Sequence, residues 1–348
     1  MRRSGPHRGE IVTRLLEVDD LSIEFPTRSG TLRAADGVSL HIDEGETLGL
    51  VGESGCGKSV TAISLLRLVP EPGRIVSGRI FYKGADLIGL SEREMRRYRG
   101  REIAFIFQEP MTALNPVFTV GYQIAEGLIV HGMMKKKAAL AEAARLMDLV
   151  RIPDAARRVR DYPHQMSGGM RQRVMIAMAL ACRPSLLIAD EPTTALDVTI
   201  QAEILDLLRS LKKEFNLSLL LISHNLGVIA EMANRVAVMY AGKIVEESPV
   251  SELFANPRHP YTAGLLRSVP RLGEGGERKD GRRSRLVAIE GNVPDLAALP
   301  AGCAFHPRCP DVLAECREQA PQFLPLGDGN VPRRVSCFLH HRPDGRPA

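Results

Sequence analysis

Apolar and polar positions alternate early in the chain and then give way to continuous apolar runs. Residues 15–25 and 38–51 alternate first and become apolar toward their ends, as edge strands do when they lead into a buried strand. Residues 78–83 and 102–107 also have strand-like patterns. The pattern predicts an antiparallel β edge beside a buried sheet.

The middle of the chain changes to a helical pattern. From Thr119 to Arg160, apolar residues recur at steps of three and four. Three strand-like runs and two helical stretches then alternate, at 185–190, 198–214, 217–223, 226–233 and 235–240. Strands that alternate with helices predict an α/β fold with a mostly parallel sheet, covered on both faces and carrying a helical insertion at about 95–165.

Length and composition limit the classes of protein. The chain has 348 residues, of which 44% are hydrophobic, enough for one large domain or two unequal ones. Its longest apolar run, Val174 to Cys182, is far shorter than the roughly 20 residues of a membrane span. The N-terminal MRRSGPHRGE is basic, but no long apolar stretch follows it, so we expect no secretory signal and a cytoplasmic location.

Charge does not indicate a nucleic-acid binder. The net charge of +5 is spread along the chain, and its densest basic patches lie at 93–101, 135–137 and 279–285. Solvated helix faces and a linker at 271–286 account for such patches. Only 5% of residues are aromatic and none is Trp, which leaves little material for stacking bases. We therefore expect no nucleic-acid partner.

A glycine-rich loop after the apolar run 48–51 fits the phosphate-binding pattern G-x-x-x-x-G-K-[ST]. Its residues are Gly52, Glu53, Ser54, Gly55, Cys56, Gly57, Lys58 and Ser59, and Val60 continues the helix that follows. Glycines let successive backbone N–H groups surround phosphates, and the helix start attracts the same anion. Lys58 is predicted to reach the β- and γ-phosphates of ATP, and the Ser59 hydroxyl to bind Mg²⁺.

Two adjacent carboxylates end the apolar run 186–189. Asp190 and Glu191 would lie at the carboxyl edge of the sheet, where such folds bind ligands. We expect Asp190 to hold Mg²⁺ and Glu191 to activate the attacking water as general base. Between this pair and the phosphate loop lies Ser167-Gly168-Gly169 at a helix start, a second anion-binding N-terminus that one nucleotide cannot easily share within a monomer.

In order, these motifs resemble the ATPase subunit of an ABC transporter, over about residues 15–255. The set comprises the phosphate loop, Gln108, the Ser-Gly-Gly helix start, Asp190-Glu191, Ala195-Leu196-Asp197 and His224 after a strand. The resemblance implies a P-loop NTPase core of RecA type with a helical subdomain at about 95–165. It also implies that the chain is an enzyme that hydrolyses ATP.

The resemblance assigns further roles. Gln108 would contact Mg²⁺ and a transmembrane partner, and His224 would lie near the γ-phosphate. Ser167, Gly168 and Gly169 would close over ATP bound to an opposing subunit beside Asp197. Phe25 is a candidate to stack on adenine, with a place in the strand core as the alternative. Met166, Met170 and Asn225 depart from the usual pattern, but none supplies a group needed for hydrolysis, so we expect an active site.

A narrower resemblance links residues 239–268, with His259-Pro260-Tyr261-Thr262, to the oligopeptide/dipeptide importer branch. It implies a C-terminal extension at 256–348 and import of dipeptides or oligopeptides, with nickel or another small solute as the alternative. It implies two permease subunits, a second ATPase subunit, identical or different, and an extracytoplasmic binding protein. The chain would lie peripherally on the cytoplasmic face of the membrane. A soluble ATPase acting on nucleic acid or ribosomes is the competing class.

Four of the six cysteines lie in the extension: Cys303, Cys309, Cys316 and Cys337. A cytosolic location argues against disulfides, and no tight C-x2–4-C pair of the kind usual for zinc is present. The wider spacing favours a [4Fe–4S] cluster, which relatives in this branch carry. Buried free thiols, or a redox-responsive regulator, are the alternatives. Cys182 and the Cys56 side chain are expected to pack in the core.

Overall fold

The computed structural model describes residues 13–28, 30–109, 113–194, 196–268, 289–327 and 333–347. The expected absence of a secretory signal concerns a segment that begins outside these residues. Ala195 and the predicted linker at 271–286 also lie outside them.

An antiparallel sheet forms the edge that the early alternating pattern predicts. Its strands are β1 (Arg14–Thr27), β2 (Gly30–Asp43), β4 (Arg74–Tyr82) and β5 (Ala85–Asp86), in the order β2-β1-β4-β5. All three pairings are antiparallel. Leu16, Val18 and Ile23 of β1 are fully buried, which gives this sheet one apolar face.

The second sheet is mixed. Its strands are β3 (Thr47–Val51), β6 (Ile103–Ile106), β7 (Leu186–Asp190), β8 (Ser218–Ile222), β9 (Arg235–Tyr240), β10 (Lys243–Pro249), β11 (Leu324–Pro325) and β12 (Arg334–Val335). Their order is β11-β12-β10-β9-β3-β8-β7-β6, in which the run from β9 to β6 is parallel and the others are antiparallel. The mostly parallel α/β sheet is confirmed, with three antiparallel strands added at one side.

Strand β10 was not predicted, and its composition explains why. Its sequence KIVEESP carries Glu246 and Glu247, which are 1% and 4% exposed. Adjacent carboxylates in a short run resemble a surface turn, since charged side chains are almost never fully buried unless they are paired. Glu246 accepts hydrogen bonds from the backbone N–H groups of Arg258 and His259, at 2.8 Å each. Arg258 and His259 lie 12 and 13 residues after Glu246, so a local sequence pattern does not reveal that they pair with it.

The helices cover the second sheet and build the insertion. They are α1 (Lys58–Ser64), α2 (Glu92–Met95), α3 (Val120–Val130), α4 (Lys136–Leu149), α5 (Ala155–Arg158), α6 (Gly168–Leu180), α7 (Val198–Phe215), α8 (Leu226–Met232), α9 (Val250–Ala255) and α10 (Pro260–Arg267). Within the interval 95–165, strand β6 belongs to the sheet, and Val120–Val130 is the first helix after it whose bounds lie within the described residues. Short 3-10 helices lie at Pro163–Gln165, His306–Arg308 and Glu315–Arg317.

The core lies on both faces of the parallel strands. Leu219 and Leu221 of β8 pack in the cluster on the side of α6 and α7, while Leu220 and Ile222 pack in the cluster that includes the antiparallel sheet. Successive side chains of a strand point to opposite faces, so a strand that is covered twice is continuously apolar. This burial holds the carboxyl ends of the strands in place at one edge.

A buried arginine ties β9 to its neighbours. Arg235 donates from Nη1 to Glu46 Oε1 at 2.9 Å and from Nε to Glu247 Oε1 at 3.0 Å. Its Nη2 donates to the His41 carbonyl at 2.9 Å. Burial, and then the charge of Arg235, lower the pKa of His41 to about 4, so the imidazole is neutral at physiological pH. The network compensates the carboxylate of the buried Glu247 and that of the mostly buried Glu46 with one guanidinium.

We expect Arg235→Ala to lower the free energy of unfolding by about 3–5 kcal/mol, because it leaves Glu46 and Glu247 buried without their cation. Urea unfolding followed by circular dichroism measures the change. Arg209→Ala is the matched control, since its pairs with Asp206 and Glu231 are exposed and are worth about 1 kcal/mol or less. Equal losses in the two variants would contradict the role given to burial.

Candidate functional site

The phosphate loop runs from the end of β3 to the start of α1, and its glycines Gly52 and Gly57 are sterically required. Gly57 has φ 104° and Gly52 has φ 154°, both in the region that favours glycine. A Cβ on Gly57 would lie 2.0 Å from the Ala34 carbonyl oxygen, and one on Gly52 would lie 2.2 Å from that of Met239. The loop therefore follows a path against neighbouring backbone that no larger residue allows.

Lys58 lies inside this loop. Its Nζ donates to the carbonyls of Gly52 and Glu53, at 2.9 Å each, and approaches Cys56 Sγ at 3.7 Å. The Cys56 side chain is fully buried, and burial raises the pKa of its thiol, so it packs as a neutral group. The Lys58 amine is thus buried within the loop and held by two of its carbonyls. Such a loop can bind a polyphosphate.

Asp190 provides a carboxylate that fits Mg²⁺. Its side chain is 5% exposed at the end of β7, and its Oδ1 has no hydrogen-bond partner in the described part of the chain. Burial raises the pKa of Asp190, and a hydrogen bond with Ser59 opposes that rise. An unpartnered buried carboxylate oxygen beside a hydroxyl is a donor set that suits a hard cation.

The carboxylate of Glu191 lies between two other residues that the sequence predicted for this site, Gln108 and His224. Its Oε2 accepts from Gln108 Nε2 at 3.1 Å and from Thr194 Oγ1 at 2.8 Å, and its Oε1 lies 3.1 Å from His224 Nδ1. Its backbone has φ 47°, a conformation that side-chain-bearing residues rarely adopt, and its N–H donates to the Ile222 carbonyl at 3.0 Å. The structure brings Gln108, Glu191 and His224 together.

The environment keeps Glu191 ionised. Burial raises the pKa of its carboxyl, but the hydrogen bonds from His224 and Thr194, with the charges of His224 and Lys58, lower it overall. An ionised carboxylate can orient or deprotonate a water molecule. Sequence analysis did not single out Thr194; its only signal was its place three residues after Glu191, in the same turn.

The Ser-Gly-Gly segment and Asp197 lie side by side on an exposed surface. Ser167 caps α6 by accepting from the Met170 N–H at 3.3 Å, and Asp197 caps α7 by accepting from the Ile200 N–H at 2.9 Å. A Cβ on Gly169 would lie 2.9 Å from Ile200, so the two helix starts pack closely. Both hydrogen bonds fix the helix ends and leave the surface open to a second molecule.

Phe25 lies on β1, and its stacking on adenine stays a prediction. It is half-buried on β1 and packs at the edge of the core cluster of the antiparallel sheet. A Cβ on Gly73 would come within 2.4 Å of its ring, which shows how closely the backbone approaches. This is the strand-core position that the sequence left as the alternative.

The four cysteines of the extension converge on one place. They line a cavity of about 10 Å³ that His306 and Asp311 also border. Burial raises the pKa of Cys309 to about 11 and that of Cys337 to about 12, so both thiols are neutral. Among the described residues, however, no group of three or more His, Cys, Asp or Glu side chains is placed to hold a metal ion. The donor chemistry fits an iron–sulfur cluster, but the geometry does not by itself support one.

The fold and the site define an ATP-binding cassette, and the comparisons agree. The family model for the ABC transporter matches residues 35–194, and the model for the C-terminal region of oligopeptide/dipeptide transporters matches residues 245–316. A dimeric structure of the cassette MJ0796 bound to ADP and Pi superposes with a TM-score of 0.61 at 26% identity, covering 68% of this chain and 99% of that one.

Relatives extend the likeness over almost the whole chain. A probable peptide ABC transporter ATP-binding protein of Sinorhizobium fredii is 53% identical over 318 residues, 91% of this chain and 93% of that protein. The oligopeptide transport protein OppD of Bacillus subtilis is 53% identical over 331 residues, 95% and 90% of the two chains. The chain belongs to the ABC transporter ATP-binding family, in its oligopeptide/dipeptide branch, and is an ATPase. Both resemblances are confirmed.

We expect Glu191→Gln to lower steady-state ATP turnover by about 10²–10⁴-fold while ATP still binds, because the amide keeps the shape of the side chain but cannot accept a proton. Phosphate release and equilibrium binding of a fluorescent ATP analogue measure the two quantities. Glu231→Gln, at an exposed glutamate on α8, is the control and should hydrolyse ATP like the wild type. Wild-type turnover by Glu191→Gln would remove Glu191 as the base.

Proposed function

We propose that the chain is the ATP-hydrolysing motor of a membrane importer of dipeptides or oligopeptides. The observation that carries this proposal is the ionised Glu191 between Gln108 and His224, beside the phosphate loop. The match of residues 245–316 to the oligopeptide/dipeptide transporter region, and the peptide transport proteins among the relatives, support the choice of solute.

Each residue of the site has a distinct task in this proposal. Backbone N–H groups of the phosphate loop and Lys58 would bind the phosphates of ATP, and Ser59, Asp190 and Gln108 would hold Mg²⁺, which would neutralise charge on the phosphates. Glu191 would take the proton of the attacking water, while His224 orients Glu191 and would lie near the γ-phosphate. Because His224 is 59% exposed, it is available to an incoming nucleotide.

A second ATPase subunit completes the site. The exposed Ser167, Gly168 and Asp197, with the half-buried Gly169, would close over the ATP of an opposing subunit, so that two nucleotides lie between two cassettes. Binding would close the pair and hydrolysis would open it. The dimeric state of the similar cassette MJ0796 supports this arrangement.

The partner that receives this motion is a pair of permeases. Four large apolar residues beside Gln108 in the sequence or within the insertion are exposed. Their exposed fractions are 45% for Phe107, 70% for Val117, 45% for Phe118 and 73% for Val130. Such a surface is typical of a protein interface. No helix among the described residues is long and apolar enough to cross a membrane. We place the chain on the cytoplasmic face of the membrane, with a binding protein delivering solute outside.

We expect the tagged chain to recover two permeases and an ATPase subunit from detergent-solubilised membranes, and to support uptake of a labelled tripeptide. Phe118→Asp should reduce permease recovery several-fold, because a charge enters the apolar contact. The control is Leu313→Asp, at an exposed leucine of the extension, which should recover permeases normally. Recovery of ribosomes or DNA-repair proteins instead would favour the competing class, and uptake of nickel without peptide would change the solute.

We also propose that the four cysteines of the extension hold a [4Fe–4S] cluster. All four line one cavity, and thiolates are the usual ligands of such clusters. Their neutral thiols would release protons on binding the cluster. A cluster would tie together four positions of the extension that already line one cavity.

Anaerobic purification of the full-length chain should then yield brown protein with about four irons per chain. Cys337→Ser should lower the iron content and the visible absorbance, since it removes one ligand. The matched control is Cys182→Ser, at a buried cysteine outside the extension, which should keep both. Colourless, iron-free wild-type protein would leave the cysteines as packing residues.

A further inference from the structure

An arginine of the extension forms a bidentate ion pair with the phosphate loop. Arg308 Nη1 donates to Glu53 Oε2 at 2.7 Å, and Arg308 Nη2 donates to Glu53 Oε1 at 3.0 Å. The Arg308 side chain is 5% exposed and that of Glu53 is 26% exposed. Two parallel hydrogen bonds between a guanidinium and a carboxylate make a strong and directional contact. This one joins residues 255 positions apart.

The rest of the Arg308 side chain is held in place by the extension and the sheet. Its Nε donates to the Glu290 carbonyl at 3.0 Å, and Nη1 approaches Tyr240 Oη at 3.4 Å. The guanidinium carbon lies 5.9 Å from the centre of the Tyr240 ring. These contacts orient the cation toward the loop. The hydrogen bonds to Glu53 above all, and then the contact with Tyr240, raise the pKa of Arg308 against the opposing effect of burial, so it is charged at every physiological pH.

A tyrosine holds the same loop residue through its backbone. Tyr261 Oη accepts from the Glu53 N–H at 2.8 Å, and the Tyr261 side chain is fully buried. The ring packs against Tyr240 and Phe305, with centroids 4.5 and 5.4 Å away. The extension thus makes two separate contacts with Glu53: Tyr261 fixes its main chain, and Arg308 binds its charge.

The charge matters because of where Glu53 lies. It is the second residue of a loop that surrounds a triphosphate, and an uncompensated carboxylate there would repel the ligand. Lys58 does not offset it directly, because its ammonium donates to the carbonyls of Gly52 and Glu53. Arg308 is the cation that binds the Glu53 carboxylate.

We propose that Arg308 is a positioning residue of the ATP site, which neutralises Glu53 and turns its carboxylate away from the phosphates. The extension thereby contributes to nucleotide affinity, in addition to any role in assembly. This inference rests on the proposed use of residues 52–59 to bind ATP.

Equilibrium titration of the full-length chain with a fluorescent ATP analogue tests the charge argument. We expect Arg308→Gln to weaken binding by about three- to tenfold at low salt, and less at high salt, because it leaves the Glu53 charge exposed to the phosphates. Glu53→Gln should bind at least as tightly as the wild type. The double variant should return to within about twofold of the wild type, because the charge and its partner are both removed.

Hydrolysis gives a second measure. Arg308→Gln should raise KM for ATP with little change in kcat, since it removes binding common to ground and transition states. Arg333→Gln is the matched control: Arg333 is a 9% exposed arginine of the extension that pairs with Glu246 and Glu252, away from the loop. It should bind ATP like the wild type even if it lowers the thermal midpoint.

The outcomes separate this inference from the site on which it rests. Wild-type affinity in Arg308→Gln, or no recovery in the double variant, would overturn the charge role. If Arg308→Gln does not fold, the Glu53→Gln variant alone tests the charge role. Weaker binding of the ATP analogue by Glu53→Gln than by the wild type would then contradict charge compensation. Lys58→Ala should lose ATP binding in the same assay; if it does not, the proposed phosphate loop itself is wrong.

Discussion

The structure depends on one constraint: parallel strands must end at a common edge. Strands β3 and β7 both pair with β8, and Ile222 of β8 lies opposite Leu50 of β3 on one side and Asp190 of β7 on the other. Whatever follows each strand therefore meets at this edge: the phosphate loop, the carboxylate pair and His224. The apolar packing on both faces holds the edge rigid, so side chains that are distant in the sequence keep distances suited to hydrogen bonds.

The geometry around Glu191 shows how the core supports chemistry. The residue adopts a left-handed backbone conformation that costs free energy, and a hydrogen bond to the end of β8 stabilises it. Its carboxylate then accepts from Gln108, Thr194 and His224 together. Burial alone would favour the protonated acid, and the hydrogen bonds from His224 and Thr194, with the charges of His224 and Lys58, lower the pKa of Glu191 and keep the base ionised. Gln108 leads toward the insertion, so one hydrogen bond links the catalytic edge to the expected permease surface.

The C-terminal extension packs with the cassette as one structure. Strand β12 adds to β10 in the main sheet, with Glu246 opposite Val335, and Glu246 caps the start of the segment that carries Tyr261. From there the Tyr240–Tyr261–Phe305 ring cluster extends to the turn that bears Arg308. The cysteine cavity and the phosphate loop are therefore joined through a few buried side chains.

The sequence by itself determined the parallel sheet, the phosphate loop and the order of the catalytic motifs. Each is encoded locally, in apolar runs, glycines and a residue type at the end of a strand. It also determined the family, because those motifs occur in one order. Only the tertiary structure decided the buried glutamates of β10, the support that Thr194 gives Glu191, and the pairing of Arg308 with Glu53. The glutamates of β10 and the Arg308–Glu53 pair depend on partners that lie outside the local sequence, and a charged residue becomes an interior one only when folding brings its counterion to it. Thr194 is only three residues from Glu191, but the left-handed backbone of Glu191 that accompanies their hydrogen bond is not visible in the sequence pattern.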